Sequence, residues 1–250
     1  MLIGKNIGAM ITFGVIVLVW WGMTAGPNHD SLVSPTPTLV AKAALAYAGD
    51  WEFYQLLGWT VLKIVVAFVV CVLVGVSIGI VVGQVSLLNE LLELPLDLFR
   101  SIPATALYPM FLVFGISEWV CVWLTMLVGV LVLVSYTIKA VSSCSAMRLQ
   151  AGRAEHLKGS AIFFRVVFPE CLPGIVNGAR ICLSLVIVLI VVFEMFGANG
   201  HGIGTALHES RGLSQREKMV ALTIAVGFVG IVLNGAFTWV CDRLVFWGGR

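Results

Sequence analysis

Residues 58–83 read GWTVLKIVVAFVVCVLVGVSIGIVVG, with Lys63 the single charged side chain. A helix needs about 20 apolar residues to cross roughly 30 Å of hydrocarbon at about 1.5 Å per residue. This run is long enough to span a bilayer, and the rest of the chain repeats the pattern. Of 250 residues, 60% are apolar and 11% charged, and the mean hydropathy is +1.03. A soluble domain carries about 25% charged and about 45–50% apolar residues. Too few ionic groups are present to cover a globule. Disorder, a secreted disulfide scaffold and an ordinary cytosolic enzyme are excluded, and an all-α polytopic membrane protein with room for about six helices is expected.

Working outward from 58–83, the other expected spans are 7–24, 101–115, 119–138, 174–196 and 219–240. Residues 7–24 follow Lys5 and carry Trp20-Trp21, which reads as a retained first helix with an interfacial anchor and not as a signal peptide. Pro35 and Pro37 deny a long helix through 34–37, and a short surface helix is expected from Thr38. Residues 84–100 are amphipathic, with Glu90, Glu93 and Asp97 among leucines. Pro103 and Pro109 interrupt 101–115, a turn at 116–118 follows, and 197–212 reads as a Gly-rich loop.

Lys and Arg are retained in cytoplasmic loops. With the N-terminus inside, Lys5, Arg100, Lys139, Arg148, Arg153, Lys158, Arg165, Arg180, Arg243 and Arg250 fall inside or at that interface, against Lys42, Arg211, Arg216 and Lys218 outside. Both termini are therefore expected in the cytoplasm, with 139–173 as the main cytoplasmic loop. The formal net charge of +2 implies no surface for nucleic acid. Cys71, Cys121, Cys144, Cys171, Cys182 and Cys241 show no CxxC or zinc spacing and read as reduced packing residues.

Lys63 and Glu194 are the base and acid clearly within spans, each costing about 2.5–3.5 kcal/mol at a helix centre. Both are expected at similar depth near the outer end, where pairing would neutralise them; contact with solute and snorkelling of Lys63 are the other readings. Gly75, Gly79 and Gly83 strip one helix face for close packing, within the subunit or across a dimer. GANGHGIG (197–204) lacks the full GxGxxG pattern and a preceding strand, so it is not read as a dinucleotide loop. His201, His208 and Glu209 lack a third His for a metal site, and none is expected. Trp51, Trp59, Trp119, Trp123, Trp239 and Trp247 lie near span boundaries, as interfacial anchors do.

Residues 135–181 read SYTIKAVSSCSAMRLQAGRAEHLKGSAIFFRVVFPECLPGIVNGARI. Two short helical stretches joined near 156–159 and closed by Pro169 and Pro173-Gly174 would make a compact hairpin. No GxxxxGK[ST] loop occurs anywhere in the chain, so it does not cradle ATP itself.

Here the sequence resembles the permease subunits of bacterial binding-protein-dependent ABC importers, in the nitrate/sulfonate/taurine branch. SPTPTLV, GVSIGIVVG, FRSIPATALYPMFLVFGIS, RVVFPECLPGIVNGARI and VVFEMFGANGHGIG carry the resemblance, in order and at family-like spacing. It implies a type I importer permease fold, with 1–57 as first helix and outer segment and 58–250 as permease core. It implies a bacterial inner-membrane location. The implied partners are ABC ATPase subunits holding ATP and Mg, a second permease copy or a paralogous permease, and a periplasmic or lipid-anchored binding protein. No cofactor is expected on this chain itself, and its solvent is membrane lipid. The resemblance suggests a small anion such as a sulfonate, taurine or nitrate, although the family also includes permeases for aromatic acids and vitamin precursors. Glu194 and Lys63 match a carboxylate and a basic position the family shows.

The family's ATPase-coupling motif is degenerate here. Aligned through 165–169, which ends at Pro169, its first triplet falls on Gln150-Ala151-Gly152 and its Gly on His156; a three-residue gap would use Ala154-Glu155 and Gly159 instead. That departure leaves homodimer and heterodimer both open. A stand-alone secondary transporter or channel is the alternative reading, but no inverted repeat is evident. A membrane enzyme would need a clustered nucleophile, base or metal set, and none is present in the sequence.

Overall fold

The computed structural model describes residues 2–24, 35–113, 119–144, 150, 154–155, 159–197 and 200–245. Among the described residues every regular element is helical, as lipid demands of a backbone that has no water to bond. The helices are α1 (Leu2–Thr24), α2 (Pro37–Ala48), α3 (Trp51–Gln84), α4 (Ser86–Ser101), α5 (Ala104–Val113) and α6 (Val120–Ser142). A helical turn at Ser160–Ile162 and a π-helical segment Phe163–Val167 then lead into α7 (Phe168–Phe196), followed by α8 (Ile203–Gly212) and α9 (Arg216–Leu244). Among the described residues four helices are long and apolar enough to cross a membrane: Trp51–Gln84, Val120–Ser142, Phe163–Phe196 and Arg216–Arg243. The expected six is therefore approximate. The apolar stretch Ile11–Thr24 is shorter. Within the expected span 101–115, α5 covers Ala104–Val113, and residues 114–115 lie outside the described residues.

Local chemistry explains the starts of the helices. Thr36 accepts from the Leu39 amide at 3.4 Å and Pro37 occupies the first helical position of α2, where its missing N–H is not needed. Asp50 accepts from the Glu52 amide at 3.1 Å and starts α3 seven residues before the expected 58. The fifth span also begins early. Pro169 and Pro173 were expected to close a hairpin ahead of it, but both lie inside α7. The π-helical residues 163–167, with Phe168 N–H bonded to the Phe163 carbonyl, widen the helix immediately before the two prolines remove donors from the ladder. The hairpin itself and the 116–118 turn fall largely or wholly outside the described residues.

The bundle is built on close approach of α3, α6 and α7. A Cβ at Gly75, Gly79 or Gly83 would lie 2.9, 2.5 or 2.8 Å from the Cβ of Leu133, Thr137 or Val141. Because both numbers rise together, α3 and α6 run parallel and pack within one subunit. Gly174 against Ala140 and Gly178 against Tyr136 show α7 running antiparallel to α6. Cys71, Gly129 and Cys182 meet where the three helices join. On its amphipathic face, α4 lays Leu88, Leu92 and Leu96 against Val82, Val134 and Ile138. The parallel and antiparallel sense puts Gln84, Ser142 and Phe163 at one end of the bundle and Phe196 with α8 at the other.

Candidate functional site

The expected Gly-rich loop 197–212 is half helix. Ile203, Ala206, Leu207 and Ser210 are buried, one face of α8 at helical spacing. The residue before α8 is Gly202, at φ 156° and with no side chain to cap the helix. The first-turn amides of α8 therefore need partners from elsewhere, and two other helices supply them. Thr60 of α3 accepts from the Ile203 amide at 2.9 Å, and Glu194 of α7 accepts from the Gly204 amide at 3.1 Å. A carboxylate at a helix N-terminus also gains from the helix dipole.

Lys63 completes the arrangement. Its Nζ donates to Glu194 Oε1 at 3.0 Å and to the His201 carbonyl. Thr60 Oγ1 donates to Glu194 Oε2 at 2.9 Å, one turn from Lys63 on the same face of α3. Thr60, Lys63 and Glu194 are 2%, 1% and 3% exposed, so three polar groups are shut away from solvent in a closed hydrogen-bonded circuit. Closure depends on glycine: a Cβ at Gly202 would lie 2.2 Å from Glu194 Oε1, and one at Gly204 would lie 2.4 Å from Glu194 Cβ. Nearby, Tyr108 of α5 stacks on Phe193 with ring centroids 4.8 Å apart. Trp59 contacts the His201 ring.

This circuit is neutral and its oxygens are engaged. Chemically it fastens α3, α7 and the start of α8 into one body. Lys63 and Glu194 are thus brought together, whereas Thr60, the Ile203 and Gly204 amides and the His201 carbonyl are members that sequence reasoning missed. The usable signal was Thr60 three residues ahead of Lys63, together with the i, i+3, i+4, i+7 pattern of 203–210.

Of the residues expected to couple to an ATPase, Gly159 and Pro169 lie toward the opposite end of the bundle. Gln150 and Gly159 are exposed and Pro169 is half-buried; Gly159 adopts φ 46° with open space around it, a backbone that glycine takes without strain. Ala151, Gly152 and His156 lie outside the described residues. Of the expected tryptophan anchors, Trp51, Trp123 and Trp239 are 73%, 71% and 59% exposed, and Trp247 lies outside the described residues. No group of three His, Cys, Asp or Glu gathers as a metal site among the described residues.

A second polar cluster lies about 21 Å along α7 from Glu194, fourteen residues at about 1.5 Å each. Arg180 Nη2 donates to Asp242 Oδ1 of α9 at 2.8 Å, and Ser184 Oγ lies 3.1 Å from Asn234 Oδ1.

Comparisons with known proteins agree with this architecture. The family described as binding-protein-dependent transport system inner membrane component matches residues 72–246. The nitrate import permease of Leptolyngbya laminosa is 22% identical over 97% of this chain and 89% of its own length. A Bacillus subtilis protein assigned as an aliphatic sulfonates transport permease is 24% identical over 93% of this chain and 84% of its own. Among solved structures, an inward-facing form of the MetNI methionine ABC transporter is similar in fold, with a TM-score of 0.62 and 18% identity over 87% of this chain and 99% of that one. With well over half of its residues matched, this chain belongs to the family of binding-protein-dependent transport system inner membrane components.

Proposed function

We propose that this ABC importer permease subunit passes a small anion, of the nitrate or sulfonate kind, inward across a bacterial cytoplasmic membrane. One observation supports the reading above others: the permease match covers residues 72–246, while the 250 residues contain no phosphate-binding loop. The engine is then a separate ATPase subunit holding ATP and Mg, and solute arrives on a separate periplasmic or lipid-anchored binding protein. The nitrate and sulfonate relatives support an anion as cargo.

In this reading both termini and the 139–173 loop face the cytoplasm, and Gln150, Ala151, Gly152, His156 and Gly159 belong to the segment that meets the ATPase. ATP-driven closure of the ATPase pair rocks two permeases, identical or paralogous, between inward- and outward-facing states. The Lys63–Glu194 circuit makes the α8 end move as one piece. Residues 1–57 add a first helix and outer segment to the permease core at 58–250.

Co-expression with the ATPase subunit and an affinity tag on this chain tests the proposal. Co-purification is expected, and Ala151→Glu is expected to abolish transport-coupled ATP hydrolysis while the chain remains inserted. Solute uptake by vesicles holding this chain alone would overturn the proposal in favour of a stand-alone transporter or channel.

A further inference from the structure

We infer that Arg180 is a contact for the travelling anion, with Asn177, Ser184 and Asn234 beside it and Asp242 as the resident carboxylate that the anion displaces. The inference rests on the importer reading and adds to it a place in the membrane where charge is recognised.

The surface of α7 and α9 is divided. Most of what α9 exposes is apolar, including Ile224, Phe228, Ile231, Val232, Trp239 and Val240, which suits lipid. Along α7 the exposed stripe is mixed: Asn177 and Ser184 alternate with Ile181 and Val188, and the Arg180 side chain is 37% exposed. An ionisable side chain in a membrane-spanning helix faces a bundle interior or a water-filled path, not lipid. Beside Arg180, Asp242 and Cys241 is a cavity of about 170 Å³ that also reaches Pro173 and Asn177.

Two features make this a place of exchange. Asp242 takes one donor, Nη2, of the five N–H groups that a guanidinium offers, so Arg180 keeps donor capacity that Asp242 does not use. Its planar fork matches the paired oxygens of a nitrate, sulfonate or carboxylate. Meanwhile the Asp242 side chain is 69% exposed, so burial does not lock its bond to Arg180, which can be traded for a bond to another oxyanion. A path needs that weakness: binding strong enough to admit the ion and loose enough to release it. Lys63 offers no such place, since it is 1% exposed and already bonded to Glu194 and the His201 carbonyl.

The test uses the complete complex in liposomes with its binding protein, supplied with nitrate or methanesulfonate. Arg180→Gln is expected to lower uptake at least tenfold, Arg180→Lys to keep part of it, and Arg180→Gln/Asp242→Asn to stay as low as Arg180→Gln. In parallel, nitrate or methanesulfonate, but not gluconate at equal ionic strength, is expected to shield Arg180 of the unmodified complex from phenylglyoxal, read by mass spectrometry of its peptide. Asp242→Asn is expected to lower the half-protecting concentration several-fold. Uptake unchanged in Arg180→Gln overturns the inference, as does recovery in the double variant, which would make Arg180 only the counter-ion of Asp242. Absence of shielding overturns it as well. Should the unmodified complex import neither anion, the cargo proposed above fails, and the shielding measurement still decides the role of Arg180.

Discussion

Two polar clusters sit in one greasy bundle and differ in nearly every physical respect. The Thr60–Lys63–Glu194 circuit is buried, closed and tied to the backbone of α8. The Arg180–Asp242 pair is half-open, borders a cavity and engages one guanidinium donor. A saturated cluster holds elements together because every group would lose a partner if they parted. An unsaturated one costs little to rearrange and can accept something else. Charge inside a membrane protein is therefore not a site in itself; spare valence and access make it one.

The largest expected effect tests the closed cluster. Glu194→Ala leaves Lys63 buried without its carboxylate and is expected to cost about 3–5 kcal/mol, seen as a fall in the thermal unfolding midpoint of the purified complex. Lys63→Met/Glu194→Met is expected to be milder than either single change, because no lone charge stays behind. Equal stability of the single variants and the unmodified protein would erase the contrast between the clusters.

Next in size is Gly202→Ala. Its Cβ would meet the Glu194 carboxylate at 2.2 Å, and overpacking of that kind costs about 1–3 kcal/mol; a shorter unfolding midpoint shift than for Glu194→Ala is expected. Thr60→Val should follow at about 1–3 kcal/mol, since it orphans the Ile203 amide and removes a donor to Glu194. Hydrogen exchange at the Ile203 and Gly204 amides reads both changes directly and should rise. Smallest of all, Asp242→Asn is expected to move stability by less than about 1 kcal/mol, while altering anion exchange at Arg180. A large stability loss there would move Arg180–Asp242 into the same class as Lys63–Glu194.

Legibility from sequence varied with the kind of signal. Long apolar runs announced α3, α6, α7 and α9, because crossing hydrocarbon imposes length and composition alike. The leucine and acid pattern of 84–100 announced α4. The 197–212 segment was obscured by its glycines, which read as loop, although they serve to bring backbone against the Glu194 carboxylate. Pro169 and Pro173 looked like helix stops, yet the helix runs through both, behind a π-helical turn at Phe163–Val167. Lys63 and Glu194 stood out as costly charges. Thr60, a neutral residue, did not, and Arg180 and Asp242 read only as interfacial charge.

What the amino-acid order determined by itself is the solvent: a chain this apolar and this poor in charge belongs in a bilayer as helices, and its motifs place it in a permease family. Only the tertiary structure decided which charges are spent and which are available. Depth and type of residue are local properties that a sequence displays. Saturation of hydrogen bonds depends on which backbone amides, hydroxyls and cavities distant segments bring to the same point, and that is set by packing of α3, α7, α8 and α9 against one another.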